Sequence, residues 1–133
     1  MKRFKYSNIY SSINFMEIGL RHLAYLGDAV WELFVRERTI RQTPNAGILH
    51  KITTDRVKAA FQAQLLAELE NILTDEEKEI SRRGRNLPIP VGRKSNQNEY
   101  RHATAFETLI GWWYFYDKNR LESVLQILEN RIK

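Results

Sequence analysis

Two carboxylates stand out by their setting. Asp28 lies in Leu23-Ala24-Tyr25-Leu26-Gly27-Asp28-Ala29-Val30-Trp31-Glu32-Leu33, and Glu107 in Ala103-Thr104-Ala105-Phe106-Glu107-Thr108-Leu109-Ile110-Gly111. Both are apolar, helix-periodic runs with a glycine close to the acid. At helical spacing Leu26, Ala29, Val30, Leu33 and Phe34 share one broad face, with Asp28 beside it and Glu32 one turn further on. Glu107 has Ala103, Ile110 and Gly111 as its one-turn neighbours, and a carboxylate there is costly to bury unless it is paired or metal-bound. Packed together, the two helices bring both acids into one pocket. Mg²⁺ is commonly held by only one or two protein carboxylates, and it lowers the pKa of its bound water. Spacing alone leaves a second reading open, that each acid is an ordinary charge on a helix surface.

The elements that must position this pair are helical. A first long helix is expected from near Asn14 to about Ile40, preceded by a polar and aromatic arm over residues 1–14. It stops at Thr43-Pro44-Asn45, because Pro44 disfavours helix at the residue before it. Gly27 inside that helix costs on the order of 1 kcal/mol against Ala, and close approach of a second helix is its simplest use. A short helix from near Ile48 is expected to break at Thr53-Thr54-Asp55, which offers an N-cap for a longer one from about Asp55 to Leu69. Thr74 and Glu77 form a capping-box pattern, opening a helix that ends in Arg82-Arg83-Gly84-Arg85. Residues 84–98 hold two prolines and two glycines and read as a long loop. The Glu107 helix follows from about Glu99 to Tyr116. Leu121, Val124, Leu125, Leu128 and Ile132 then form an amphipathic final helix. With no strand, repeat or linker in view, residues 1–133 are expected to be one all-α domain.

Other residue groups have two readings each. The basic residues in and before the loop, Arg82, Arg83, Arg85, Arg93 and Lys94, make either a phosphate-facing surface or a solvated loop. Trp112-Trp113-Tyr114-Phe115-Tyr116 fits core, partly dimer core, better than base stacking. His22, His50 and His102 lack the paired spacing of a zinc site.

Composition narrows the class. A chain of 133 residues, 43% hydrophobic and 11% aromatic, is long enough to bury a real core. Its net charge of +5 favours a polyanionic partner, nucleic acid above all. The absence of cysteine excludes disulfides and thiolate metal sites. No apolar segment follows the basic start, and the longest apolar run, Leu109 to Tyr116, is far short of the ~20 residues a membrane helix needs. A soluble, intracellular protein that does not engage membranes is expected.

Leu26-Gly27-Asp28-Ala29-Val30, followed by Glu107-Thr108-Leu109-Ile110-Gly111, resembles the two signatures of the ribonuclease III catalytic domain. Arg82-Arg83-Gly84-Arg85-Asn86 and Tyr100-Arg101-His102-Ala103-Thr104 narrow the likeness to the Mini-ribonuclease III branch, which has only the catalytic domain. The resemblance covers roughly residues 15 to 117. It implies an endoribonuclease for double-stranded RNA that uses Mg²⁺, with Asp28 and Glu107 as catalytic acids and metal ligands. Relatives at large carry a further acid one turn before each of these. Here Ala24 and Thr104 stand at those positions, which resembles the Mini-III pattern and leaves fewer ligands than two tightly bound metals use. Thr104 is expected to hold a metal-bound water, with Glu32 a weaker supporting candidate.

The same resemblance implies a homodimer, each subunit cutting one strand to leave a short 3′ overhang. Its contact is expected on the first helix, with Phe15, Leu23 and Trp31 as the named guesses. With no double-stranded-RNA-binding domain expected, Arg82, Arg83, Arg85, Arg93, Lys94 and Arg101 are expected to supply the grip on RNA. The implied substrate is the precursor of large-subunit (23S) ribosomal RNA, presented by a ribosomal protein, in the cytoplasm or the plastid stroma. The rival is a non-catalytic helical RNA-binding or ribosome-assembly module. A helical protein-interaction domain leaves the acids and the basic loop unexplained.

Overall fold

Helix α1, Leu20–Thr39, buries Leu23, Ala24, Gly27, Trp31, Phe34, Val35 and Thr39. These positions recur at three- and four-residue spacing and so make one face. The structure is a computed structural model that describes residues 19–90, 92 and 96–133. The arm expected over 1–14, the first residues assigned to the long helix, and Phe15, Arg93 and Lys94 all lie outside the described residues. After α1 come α2 (Ala46–Val57), α3 (Ala59–Leu69), a 3-10 turn (Glu70–Ile72), α4 (Asp75–Arg85), α5 (Gln97–Tyr116) and α6 (Lys118–Ile132). Among the described residues there is no strand, and the fold is all-α as expected.

Helix α5 is the axis of the molecule. Ala103, Ala105, Phe106, Thr108, Leu109, Ile110, Gly111 and Trp113 are all buried, which spreads its buried surface round most of the helix. A helix apolar on all sides must be enclosed, and α1, α3, α4 and α6 all pack against α5. Trp31 meets Phe106 edge to face, with ring centroids 5.1 Å apart, and its Nε1–H donates to the Arg56 carbonyl at 2.9 Å.

The α1–α5 crossing is a contact of backbones. A Cβ on Gly27 would lie 1.8 Å from the Glu107 carbonyl oxygen, and one on Gly111 would lie 1.8 Å from that of Leu23. The two glycines are reciprocal: each clears the other helix's main chain. Gly84 plays a similar part near the end of α4, where a Cβ would fall 2.8 Å from Thr108 Oγ1.

One buried ion pair ties three helices together. The Glu77 carboxylate completes the expected capping box with Thr74 at 2.9 and 3.1 Å. It also accepts from Trp113 Nε1–H at 2.8 Å and from Arg120 through Nε–H and an Nη2–H, both at 2.9 Å. Burial opposes ionisation of Glu77, yet the bonds from Arg120, the Thr74 N–H and Trp113 prevail and hold its carboxyl below the ordinary glutamate value.

Several sequence expectations are corrected. The break expected at Thr53–Asp55 falls at Lys58, whose ψ of 157° is extended. Asp55 is not a cap, because its carboxylate pairs with Lys51 at 2.6 Å and Lys58 at 3.6 Å. The cap of α2 is Asn45, whose side chain accepts from the Ile48 N–H at 2.9 Å. The inward face of α1 is also rotated from the one expected, with Ala29 and Leu33 exposed. Leu23 and Trp31, guessed as partner contacts, are instead buried within the subunit. Of the aromatic run, Trp113 is core, while Tyr114 and Tyr116 keep much of their surface exposed.

Candidate active site

The glycine crossing puts the two acids face to face. Asp28 follows Gly27, and Gly27 packs on the main chain of Glu107 itself, so a steric fit between backbones sets the spacing of the two carboxyls. The Asp28 and Glu107 carboxyls lie within hydrogen-bonding range of each other. Asp28 is exposed and Glu107 half-buried, so the pair opens to solvent on the Asp28 side.

Electrostatics follows from this geometry. Burial, then the hydrogen bond to Asp28 and the Asp28 charge, push the Glu107 carboxyl up to about 8. The nearby Gln62 amide acts in the opposite sense. A Glu107 carboxyl that keeps its proton near neutral pH, beside a second carboxyl, offers a place where a divalent cation can displace that proton. Among the described residues no group of three or more His, Cys, Asp or Glu side chains is placed to share a cation. Two carboxylates fit Mg²⁺, which keeps several of its waters, better than an ion that demands a full protein cage.

Around the pair, Ala24 is buried and Thr104 is half-buried, its hydroxyl donating to the Tyr100 carbonyl at 2.9 Å. The Thr104 oxygen keeps its lone pairs for a further donor, such as water. Glu32 faces Arg36 at 3.7 Å in a surface ion pair. His22 and His50 are exposed, and His102 Nδ1 lies 2.7 Å from the Asn98 carbonyl oxygen.

The basic residues divide by what they already hold. Arg82 is exposed and grips Glu79 through two bonds, at 2.5 and 3.1 Å. Arg83 is exposed. Arg101 donates to the Arg85 carbonyl at 3.2 Å, fastening the start of α5 to the end of α4. Sequence reasoning missed Arg21, which donates to the Pro88 carbonyl at 2.7 Å and ties the loop to α1. Its signal was present, since Arg21 lies seven residues before Asp28 and so shares its helix face. Gln62 was also missed, because an amide in the apolar run of α3, which also holds Gln64, has no pattern to mark it.

Comparison with known proteins matches the family described as Ribonuclease III domain over residues 21–118. The chain is 43% identical to the Mini-ribonuclease 3 of Synechocystis sp. over 107 residues, 80% of this chain and 75% of that one. It is 41% identical to the Mini-ribonuclease 3 of Gloeobacter violaceus over 117 residues, 88% of this chain and 87% of that one. Among solved structures it is similar to an X-ray structure of a Fusobacterium nucleatum protein, with a TM-score of 0.77 and 31% identity over 86% of this chain and 93% of the other.

Proposed function

The chain belongs to the ribonuclease III family, in its Mini-ribonuclease 3 branch, and we propose that Asp28 and Glu107 are the acids with which it cuts double-stranded RNA. It is an endoribonuclease of the ribonuclease III type. The observation that carries the site assignment is the Asp28–Glu107 carboxyl pair at the Gly27–Gly111 crossing. An ordinary surface acid would not be held against a second carboxyl by two backbones in contact.

Asp28 and Glu107 together would hold Mg²⁺, which when bound supplies a water of lowered pKa and offsets charge on a phosphate. Asp28, open to solvent, is the carboxylate that incoming RNA meets. Glu107 is half-buried, and the Thr104 oxygen is offered to a water. Arg82, Arg83, Arg85, Arg93, Lys94 and Arg101 are the residues we assign to RNA phosphates.

The working unit we assign is a homodimer, because each subunit carries one acid pair and a duplex has two strands. The substrate we assign is the 23S ribosomal RNA precursor, presented by a ribosomal protein, in the cytoplasm or plastid stroma; the branch resemblance supports this. Incubating the protein with a double-stranded RNA, with and without Mg²⁺, is the test. Cleavage is expected only with Mg²⁺, and Asp28→Asn should abolish it while leaving the helical fold and RNA binding in place. Cleavage by that variant at near the wild-type rate would remove Asp28 from the site.

A further inference from the structure

Gln62 sits on α3 with only 2% of its surface exposed. Buried polar groups in folded proteins almost always have hydrogen-bond partners, and this molecule follows the rule elsewhere. Thr39 Oγ1 donates to the Val35 carbonyl at 2.9 Å, Thr108 Oγ1 to that of Thr104 at 2.7 Å, and Glu77 is bonded to Arg120. Among the described residues, Gln62 Nε2 is the buried side-chain polar atom that has no partner of acceptable distance and angle. Its amide nonetheless faces the Glu107 carboxyl closely enough to act on it. Once Glu107 is ionised, its carboxylate repels the amide oxygen and attracts the N–H₂ group, so Nε2 is the atom that can donate to it.

A metal-ligating carboxylate generally needs such a donor. One lone pair goes to the cation, and the remaining oxygen sites are oriented by groups behind the ligand. Resting on the reading of Asp28 and Glu107 as a cation site, we infer that Gln62 is a positioning residue, its Nε2 donating to Glu107 and orienting that carboxylate toward a divalent cation. The amide reaches the site from α3, a helix that carries neither acid, so the site takes its parts from three helices. An unpartnered N–H₂ costs the cation-free fold some stability, and that cost is offset when a cation draws Glu107 into its ionised form.

Binding of Mn²⁺ to the full chain, followed by the loss of the free-ion electron paramagnetic resonance signal, tests this beside thermal unfolding without divalent ions. Gln62→Leu should weaken Mn²⁺ binding by roughly 10- to 100-fold, as loss of a group behind a metal ligand generally does. Its cation-free unfolding midpoint should stay level or rise, because an unpartnered polar atom has been removed. A residue with a merely structural role would move in the opposite pattern, with a lower midpoint and unchanged affinity. Gln62→Met, closer in shape, serves if the leucine variant does not fold. Mn²⁺ affinity within about twofold of wild type in the folded variant overturns the role of Gln62 alone. A wild-type protein that fails to bind Mn²⁺ overturns the cation site itself, and the positioning role with it.

Discussion

A carboxyl pushed up to about 8 makes the cation-free protein sensitive to pH in a definite direction. Below the ordinary glutamate value, Glu107 is protonated both folded and unfolded, and folding carries no penalty from it. As pH rises from there to about 8, the unfolded chain releases the proton while the folded chain keeps it, so stability falls. Above that range both forms are ionised and the penalty no longer grows. Glu107→Gln removes the ionisation and should raise the unfolding midpoint at pH 8.5 in the absence of divalent ions, with little change at pH 4. Midpoints measured at the two pH values check this, and an equal effect at both would show that Glu107 is not held protonated by its surroundings. Glu77 behaves oppositely. Its lowered value means that its contribution is present at neutral pH and is lost as pH falls through its folded value. Asp28 and Glu107 were legible in the sequence because a charge in an apolar helical run is conspicuous. Gln62 and the second role of Glu77 were not. An uncharged amide breaks no pattern, and the capping-box spacing of Thr74 and Glu77 says nothing of an arginine 43 residues further on.

Between elements, the glycine pair is the feature with the largest expected consequence. A methyl group on Gly27 cannot be absorbed by a side-chain movement, because the atom it meets is the Glu107 backbone carbonyl oxygen. Gly27→Ala must push α1 away from α5 and draw the acids apart. The expected result is a loss of at least ~1–3 kcal/mol, the usual range for overpacking, together with weaker Mn²⁺ binding. Urea denaturation measures the first and a metal titration the second. Gly19→Ala is the control, since its nearest neighbour would be His22 Nδ1 at 3.8 Å. Equal stability of the two variants would mean that the crossing is looser than described. Helix ends that depend on local chemistry, at Thr74 and before Pro44, could be read from sequence. The break at Lys58 could not, because Asp55 had two possible uses, a cap or an i,i+4 ion pair, and lysines on both sides settled it.

At the scale of the molecule, the all-α fold was legible while the outward face of α1 was not. Leu26, Ala29, Val30, Leu33 and Phe34 span more than one side of a helix, and only the position of α5 decides which side is inside. With Leu23, Gly27, Trp31 and Phe34 turned inward, Tyr25, Leu33 and Ile40 are left 82%, 60% and 62% exposed. Together with Ala29 they form one stripe at helical spacing, beginning three residues before Asp28. Scattered exposed apolar residues are ordinary, but here four share one face, with Arg36 set between Leu33 and Ile40, and such a grouping suits a contact surface with a charged rim. A two-fold dimer built on this stripe would place two Asp28–Glu107 pairs around one axis, matching the approximate two-fold symmetry of an RNA duplex. Leu33→Asp puts a charge in the middle of the stripe and, since Leu33 is outside the core, should leave the fold intact. Light scattering should then show the wild type near twice the 15.8 kDa chain mass and the variant near the chain mass itself. Cutting of both strands in one encounter should fall with it. A wild-type protein that is monomeric at micromolar concentration, yet cuts both strands at full rate, would leave the stripe without this use and one acid pair doing the work assigned to two.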